Sequence, residues 1–136
     1  MKVYAGTFTI DANNQGGFDV QEFIDGILFT DVICKGTNFG SAAIMQNTVS
    51  QFLKTVVSAI WVDASNHALV LPVLTAKSEI DILVNAPPGE TIILFAPSGE
   101  QFVGGASSIT LNPGDFKTFR RFRFNSVAGK DEWAFH

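Results

Sequence analysis

One cysteine, one tyrosine, two histidines and two methionines are all that the 136 residues hold of those types. A lone Cys34 excludes an intramolecular disulfide. It stands in an apolar run, so a buried small hydrophobe is the commoner reading and a reactive thiol the rarer one. A zinc site needs three or four Cys, His or carboxylate ligands at workable spacing, and Cys34 with the distant His67 and His136 does not supply it. A nucleophilic triad needs a base beside its nucleophile. His67 at a turn-to-strand corner and His136 at the last position read more simply as exposed or capping side chains.

Charge is also scarce, at 16% of residues, and the formal net charge is −4. That balance argues against nucleic acid as the main partner. Long apolar runs are missing. The longest are 27–29, 68–71 and 92–96, far below the roughly 18–20 residues of a membrane span. Residues 1–14 hold one lysine and no apolar stretch of the signal-peptide kind.

What is present is apolar and aromatic. Hydrophobic residues make up 46%, mean hydropathy is +0.24, and there are thirteen phenylalanines. That is too apolar for disorder. The length suits one domain, and burying roughly two-thirds of the unfolded chain's surface gives a self-sufficient core. Phenylalanine has no polar handle, so its rings are expected in a core or between subunits.

Taken in order, residues 2–10 alternate as a half-buried strand, with 11–17 as a loop rich in Asn, Asp and Gly. Residues 18–24 read as a weaker strand, with Gly26 an interruption, and 27–34 as another. Residues 42–54 are ambiguous between a helix capped by Ser41 and a strand through 44–49. The strand is favoured, because Thr48, Val49 and Ser50 are poor helix formers. Residues 56–62 predict a strand, and 67–74 another that Pro72 demotes to an edge or a bulge. Strands follow at 79–84 and 91–95, with the turn NAPPGE between them, then at 101–103, 109–111, 116–125 and 133–135. About ten short strands with turns every 8–12 residues predict an all-β sandwich or barrel in a single domain.

Catalytic and binding candidates are few. Glu79 and Asp81 lie two apart on a strand, roughly 6–7 Å from each other by strand rise. A carboxylate pair can serve glycoside hydrolysis, but solvated strand-face carboxylates are far commoner. Residues 11–19 and Asp131 with Glu132 lack the dense ligand loop of a calcium site. Gly129–Lys130 lacks the preceding glycine of a phosphate loop. No cofactor and no metal is expected, and no enzymatic activity.

The segment 116–124 is the most informative. Lys117, Arg120, Arg121 and Arg123 interleave with Phe116, Phe119, Phe122 and Phe124. Such interleaving is one signature of single-stranded nucleic-acid binding, and the acidic total stands against it. The other readings are a strand whose arginines face solvent or pair with neighbours, and a strand that docks on another subunit. The N-terminal third is complementary, with Asp11, Asp19, Glu22, Asp25 and Asp31 against Lys2 alone. An acidic and a basic end suit head-to-tail contact around a ring. Trp61, between Ile60 and Val62, is expected buried. Trp133 either seals the sandwich or stays exposed.

The central stretch resembles the small jelly-roll structural proteins of bacteriophage virions, which include vertex, decoration and fibre-associated proteins. AIWVDASN (59–66) leading to LVLPV, then EIDILVNAPPGE (79–90), TIILFAPSGEQFVGG (91–105) and ITLNPGDFKTF (109–119) with Trp133 carry the resemblance. It spans residues from about 50 to 106 and the late turn. The resemblance implies a jelly-roll-like antiparallel β-sandwich. It also implies a capsid decoration or cement protein, made in a host cytoplasm and seated on the capsid surface. A homotrimer, in preference to a pentamer, would contact the major capsid protein or other virion proteins. The first forty residues and the 116–124 strand depart from the family pattern; on the phenylalanine excess and the charge segregation, Phe116, Lys117, Phe119, Arg120, Arg121, Phe122, Arg123 and Phe124, together with Asp19, Glu22 and Asp25, would form the contacts. The alternative implied is a carbohydrate-binding module of a phage fibre or adhesin, using Trp133, Tyr4 and loop carboxylates.

Overall fold

A computed structural model describes residues 22–24, 27–45, 54–72 and 79–136. The strands 2–10 and 44–49, and the candidates Asp19 and Asp25, lie outside the described residues wholly or in their larger part. The described residues form eleven strands and no helix. In order these are β1 (Glu22–Ile24), β2 (Ile27–Ile33), β3 (Ala43–Ile44), β4 (Lys54–Ile60), β5 (Ala68–Val70) and β6 (Glu79–Asn85). They are followed by β7 (Ile92–Phe95), β8 (Glu100–Phe102), β9 (Ser108–Leu111), β10 (Phe116–Asn125) and β11 (Lys130–Phe135).

Two sheets share these strands: a seven-stranded one ordered β1-β2-β4-β6-β10-β11-β8 and a four-stranded one ordered β3-β5-β7-β9. The arrangement is sandwich-like, and it corrects the expectation of a purely antiparallel sandwich. β2, β4 and β6 pair parallel, as do β3, β5 and β7, and β8 pairs parallel with β11. The reason lies in the turns. DASN and NAPPGE do not fold a strand back on its neighbour within a sheet. Each carries the chain from the large sheet across to the small one. β2, β4 and β6 of the large sheet, and β3, β5 and β7 of the small one, therefore run the same way. The last third reverts to antiparallel pairing, β6 with β10, β10 with β11 and β7 with β9.

Alternation in β6 explains the core. Ile80, Ile82 and Val84 face inward and are buried, while Glu79 and Leu83 face out and are exposed. Period-2 geometry demands this separation. Leu69, Ile92, Leu94 and Leu111 of the small sheet meet these residues together with Phe102, Phe119 and Trp133 of the large one. The Phe119 ring stacks on Phe135 at 5.5 Å and meets Phe102 edge-on at 6.3 Å.

Pro72 needs a second correction. β5 is an interior strand between β3 and β7. Pro72 lies beyond the end of β5, where its missing N–H takes nothing from the ladder, and Leu71 N still donates to Phe95 O at 2.9 Å. The strand β5 is buried on both faces. Leu69 points into the main core, and Ala68 and Val70 pack with Ala42 under Ile93 and Phe95. The loop 36–41 reaches this outer side, where Phe39 meets Phe95 edge-on. Gly36 makes that loop possible. Its φ is +66°, and any Cβ there would collide with the side chain of Ser41.

Candidate interaction surface

β10 is the longest strand, and its two halves differ. Phe116 to Arg120 pair with Leu83 to Glu79 of β6. Among the described residues that pairing ends at Arg120. From Arg121 to Asn125 the strand continues beside β11, with a bulge between Arg121 and Arg123. The bulge sets Phe122 out of register, since it inserts one residue against the partner strand. The hairpin then closes through 126–129. Asn125 Oδ1 accepts the N–H groups of Val127 (3.0 Å) and Ala128 (3.1 Å), and Gly129, at φ +70°, donates its N–H to Asn125 O.

The arginines of this strand are paired within the chain. Arg120 lies 3.5 Å from Glu79, both half-exposed. Arg121 donates to Asp131 and to Glu100, at 2.5 and 3.3 Å, and Glu100 also accepts the indole N–H of Trp133 at 2.7 Å. Arg123 Nε donates to Glu132 at 2.9 Å. Glu132 is buried on the strand, where it also accepts from Gln101 (2.6 Å) and Asn125 (3.0 Å). These donors, Asn125 first and then Gln101 and Arg123, hold its carboxyl below the usual carboxylate range. The guanidinium of Arg123 remains half-exposed above it and lies 5.7 Å from the Phe122 ring centre.

The phenylalanines of the same strand divide. Phe119 is fully buried and belongs to the core, which removes it from the expected contact set. Its position opposite the inward-facing Ile80 is the cause. Phe116, Phe122 and Phe124 are exposed, and Val127 at the hairpin tip is 97% exposed. Phe116 stands opposite Leu83, itself exposed. Lys117, opposite Ile82, is half-buried. Glu22 takes its place in β1, at the far edge of the large sheet from β10.

Other candidates sort plainly. Trp133 is fully buried, so its indole offers no face to a sugar ring. Trp61 is half-buried against the core. The expectation of two solvated carboxylates at Glu79 and Asp81 needs correction. Asp81 is buried and accepts the Thr118 hydroxyl at 2.8 Å, and Glu79 pairs with Arg120. Burial pushes the Cys34 thiol up to about 11. His67 is half-buried with Nδ1 unpartnered, and His136 pairs its backbone with Thr118 at the end of β11. Among the described residues no three His, Cys, Asp or Glu side chains are grouped to hold a metal ion.

Sequence reasoning missed Glu100, Asp131 and Glu132 as partners of the arginines, and Gln101 and Asn125 as further donors to Glu132. The register of β11 and β8 against β10 brings them together, and only the Asp131–Glu132 pair next to the closing turn hinted at it. It also missed Val127, although an apolar side chain between Ser126, Ala128 and Gly129 was a usable signal. No family model, curated protein or solved structure matches the chain.

Proposed function

We propose that the chain is a non-enzymatic structural protein of a virion. In this reading it assembles as a symmetric homo-oligomer, trimer before pentamer, and decorates or cements the capsid shell against the major capsid protein. The jelly-roll order of strands and the phage origin rest on the sequence resemblance. The observation that carries the assembly reading is the contrast along β10. Its arginines are ion-paired within the chain, while Phe116, Phe122 and Phe124 are exposed. Exposed large aromatics on a rigid strand suit association, because they bury much area at small entropic cost. The role of the arginines shifts accordingly, from contacting a partner to fixing the strand that displays the rings. Repetition over a shell multiplies weak contacts through avidity. The carbohydrate-binding alternative is the weaker reading, since Trp133, its main platform, is buried.

The test mixes purified protein with capsids lacking it. Stoichiometric co-sedimentation, with an oligomeric mass by light scattering, is the expected result. A strict monomer that stays in the supernatant overturns the proposal.

A further inference from the structure

The small sheet ends at β9, and among the described residues no strand pairs with the outer edge of β9. Which groups face that edge follows from the ladder. Ala96 N–H donates to Ser107 O at 2.9 Å, so 96 and 107 form a hydrogen-bonded pair one step before β9. Such pairs alternate along an antiparallel ladder. Leu94 with Ile109 and Ile92 with Leu111 are therefore the next two. The other side of β7 agrees, since Ile93 N–H donates to His67 O and Phe95 O accepts Leu71 N–H. Ser108 and Thr110 thus turn their N–H and C=O groups away from β7. No hydrogen bond joins those groups to another described residue.

β9 also lacks what usually blunts an edge, namely charged side chains, proline, a bulge or extreme shortness. β1 and β8 span three residues each and carry Glu22 and Glu100, and β3 spans two. β9 spans four, and residues 101–114 hold no charged side chain. Its side chains divide by pleat. Ile109 is half-buried against the core, while Ser108 and Thr110 lie on the outer face, Thr110 exposed. The large sheet runs on past β10 through β11 and β8, beyond the place where the small sheet stops. On β11, Phe135 stacks on the buried Phe119 and remains 39% exposed.

We propose that β9 is an interaction edge whose partner is β9 of a second copy, paired antiparallel about a two-fold axis centred on Ile109. Ser108 of each copy then stands opposite Thr110 of the other. Four N–H···O=C bonds form from groups that already point outward. The two Ile109 side chains meet on the core-facing side, and the Ser and Thr hydroxyls meet on the other. An isologous contact sets each residue near its own copy, so a charged edge would repel itself, and this edge holds no charge. The added strand extends the small sheet in the direction in which the large one already projects, toward Phe135. A four-residue strand is only about 13 Å long, and a stable interface covers about 800 Å² per partner. One such contact therefore does not hold two free chains. It acts between oligomers already formed, where several copies engage at once. The inference rests on the homo-oligomer reading above and adds how one oligomer meets the next.

Cysteine cross-linking of the full chain tests the register. At the two-fold axis a non-hydrogen-bonded pair sets the Cα atoms of two Ile109→Cys copies about 4.5 Å apart, within disulfide reach. The same register sets two Thr110→Cys copies roughly 8 Å apart, beyond it. Cys34 is buried and common to both variants. Under mild oxidation the first variant is expected to give about tenfold more disulfide-linked dimer than the second, with the unfolding midpoint of each as a control. Thr110→Pro deletes an outward N–H and leaves the ladder to β7 whole. It is expected to keep the unfolding midpoint and to weaken association between oligomers by about tenfold or more, read by sedimentation equilibrium over a concentration series. A monomeric parent fails the homo-oligomer reading and this contact with it. An oligomeric parent leaves that reading standing. The β9 contact is then wrong if the two cysteine variants cross-link equally or not at all, or if Thr110→Pro associates as the parent does. Cross-linking of Ile109→Cys to a capsid chain instead of a second copy, when capsids are added, overturns the second copy as the occupant.

Discussion

The strands from β4 to β9 and the hairpin of β10 and β11 are built from similar residues and use them in opposite ways. In the first region apolar side chains alternate inward or, as in β5, are buried on both faces. Its turns pass the chain between layers, and from β4 to β7 parallel neighbours result. In the second, one strand divides its phenylalanines between core and solvent, and paired charges fix the part that extends beyond β6. An ion pair is a weak source of stability at a surface. Here the pairs converge from β8 and β11 onto β10 and neutralise arginines whose facing the pleat and the register set. The difference teaches that an aromatic-basic pattern does not by itself describe a basic surface. Cross-strand carboxylates can neutralise the arginines and leave the rings as the feature a partner meets.

The largest expected effect separates neighbours on one strand. Phe119→Ala or Trp133→Ala should cost about 3–5 kcal/mol, the usual range for a buried ring. Phe122→Ala and Phe124→Ala should stay within about 0.5 kcal/mol in the isolated chain. Denaturant unfolding of the four variants checks the contrast, and equal losses would break it.

A second effect belongs to the loop over β5. Gly36→Ala places a Cβ against Ser41 at a left-handed φ. The loss is expected to exceed that of Gly89→Ala, about 1–2 kcal/mol, because at Gly89 an added Cβ meets nothing within 4 Å and only the left-handed strain remains, whereas at Gly36 the clash adds to it.

The third is pH-dependent and confined to the hairpin. Glu132 is held below its ordinary value of about 4.3. A carboxyl with a depressed folded-state value contributes stability that is fully present above the unfolded value. That contribution is lost as pH falls through the folded one. Glu132→Gln should therefore be less stable than the parent at pH 7. The gap should close as both are taken below the ordinary carboxylate range, which thermal melts from pH 7 to pH 2 would follow. A gap that widens on acidification would contradict the pairing with Asn125, Gln101 and Arg123.

The smallest effect concerns Cys34. Its thiol, buried and pushed up to about 11, should react slowly with a thiol reagent at pH 8 until the chain is unfolded.

Much of the fold was legible because each strand carries its own period and each turn its own punctuation. β6, β7 and β10 lie where alternation and turn residues place them, within a residue or two. What alternation cannot report is the layer to which the next strand goes. A turn such as NAPPGE has the same chemistry whether it closes a hairpin or bridges two sheets, so the parallel pairing was not visible. The same limit hid the fate of the arginines. Glu100 and Glu132 reach β10 only through the register of β8 and β11, a long-range property that local spacing does not carry. Asp81 shows the converse. Its place on one strand face with Glu79 suggested a solvated carboxylate, yet Thr118 on the adjacent strand meets it and it is buried.

The exposed phenylalanines of β10 as an assembly surface are the central claim, and one measurement addresses it directly. Sedimentation equilibrium of the chain and of its Phe122→Ser, Phe124→Ser double variant compares mass at equal unfolding midpoint. An oligomeric parent and a monomeric variant of unchanged stability are predicted. A monomeric parent, or a variant that assembles as the parent does, would contradict it.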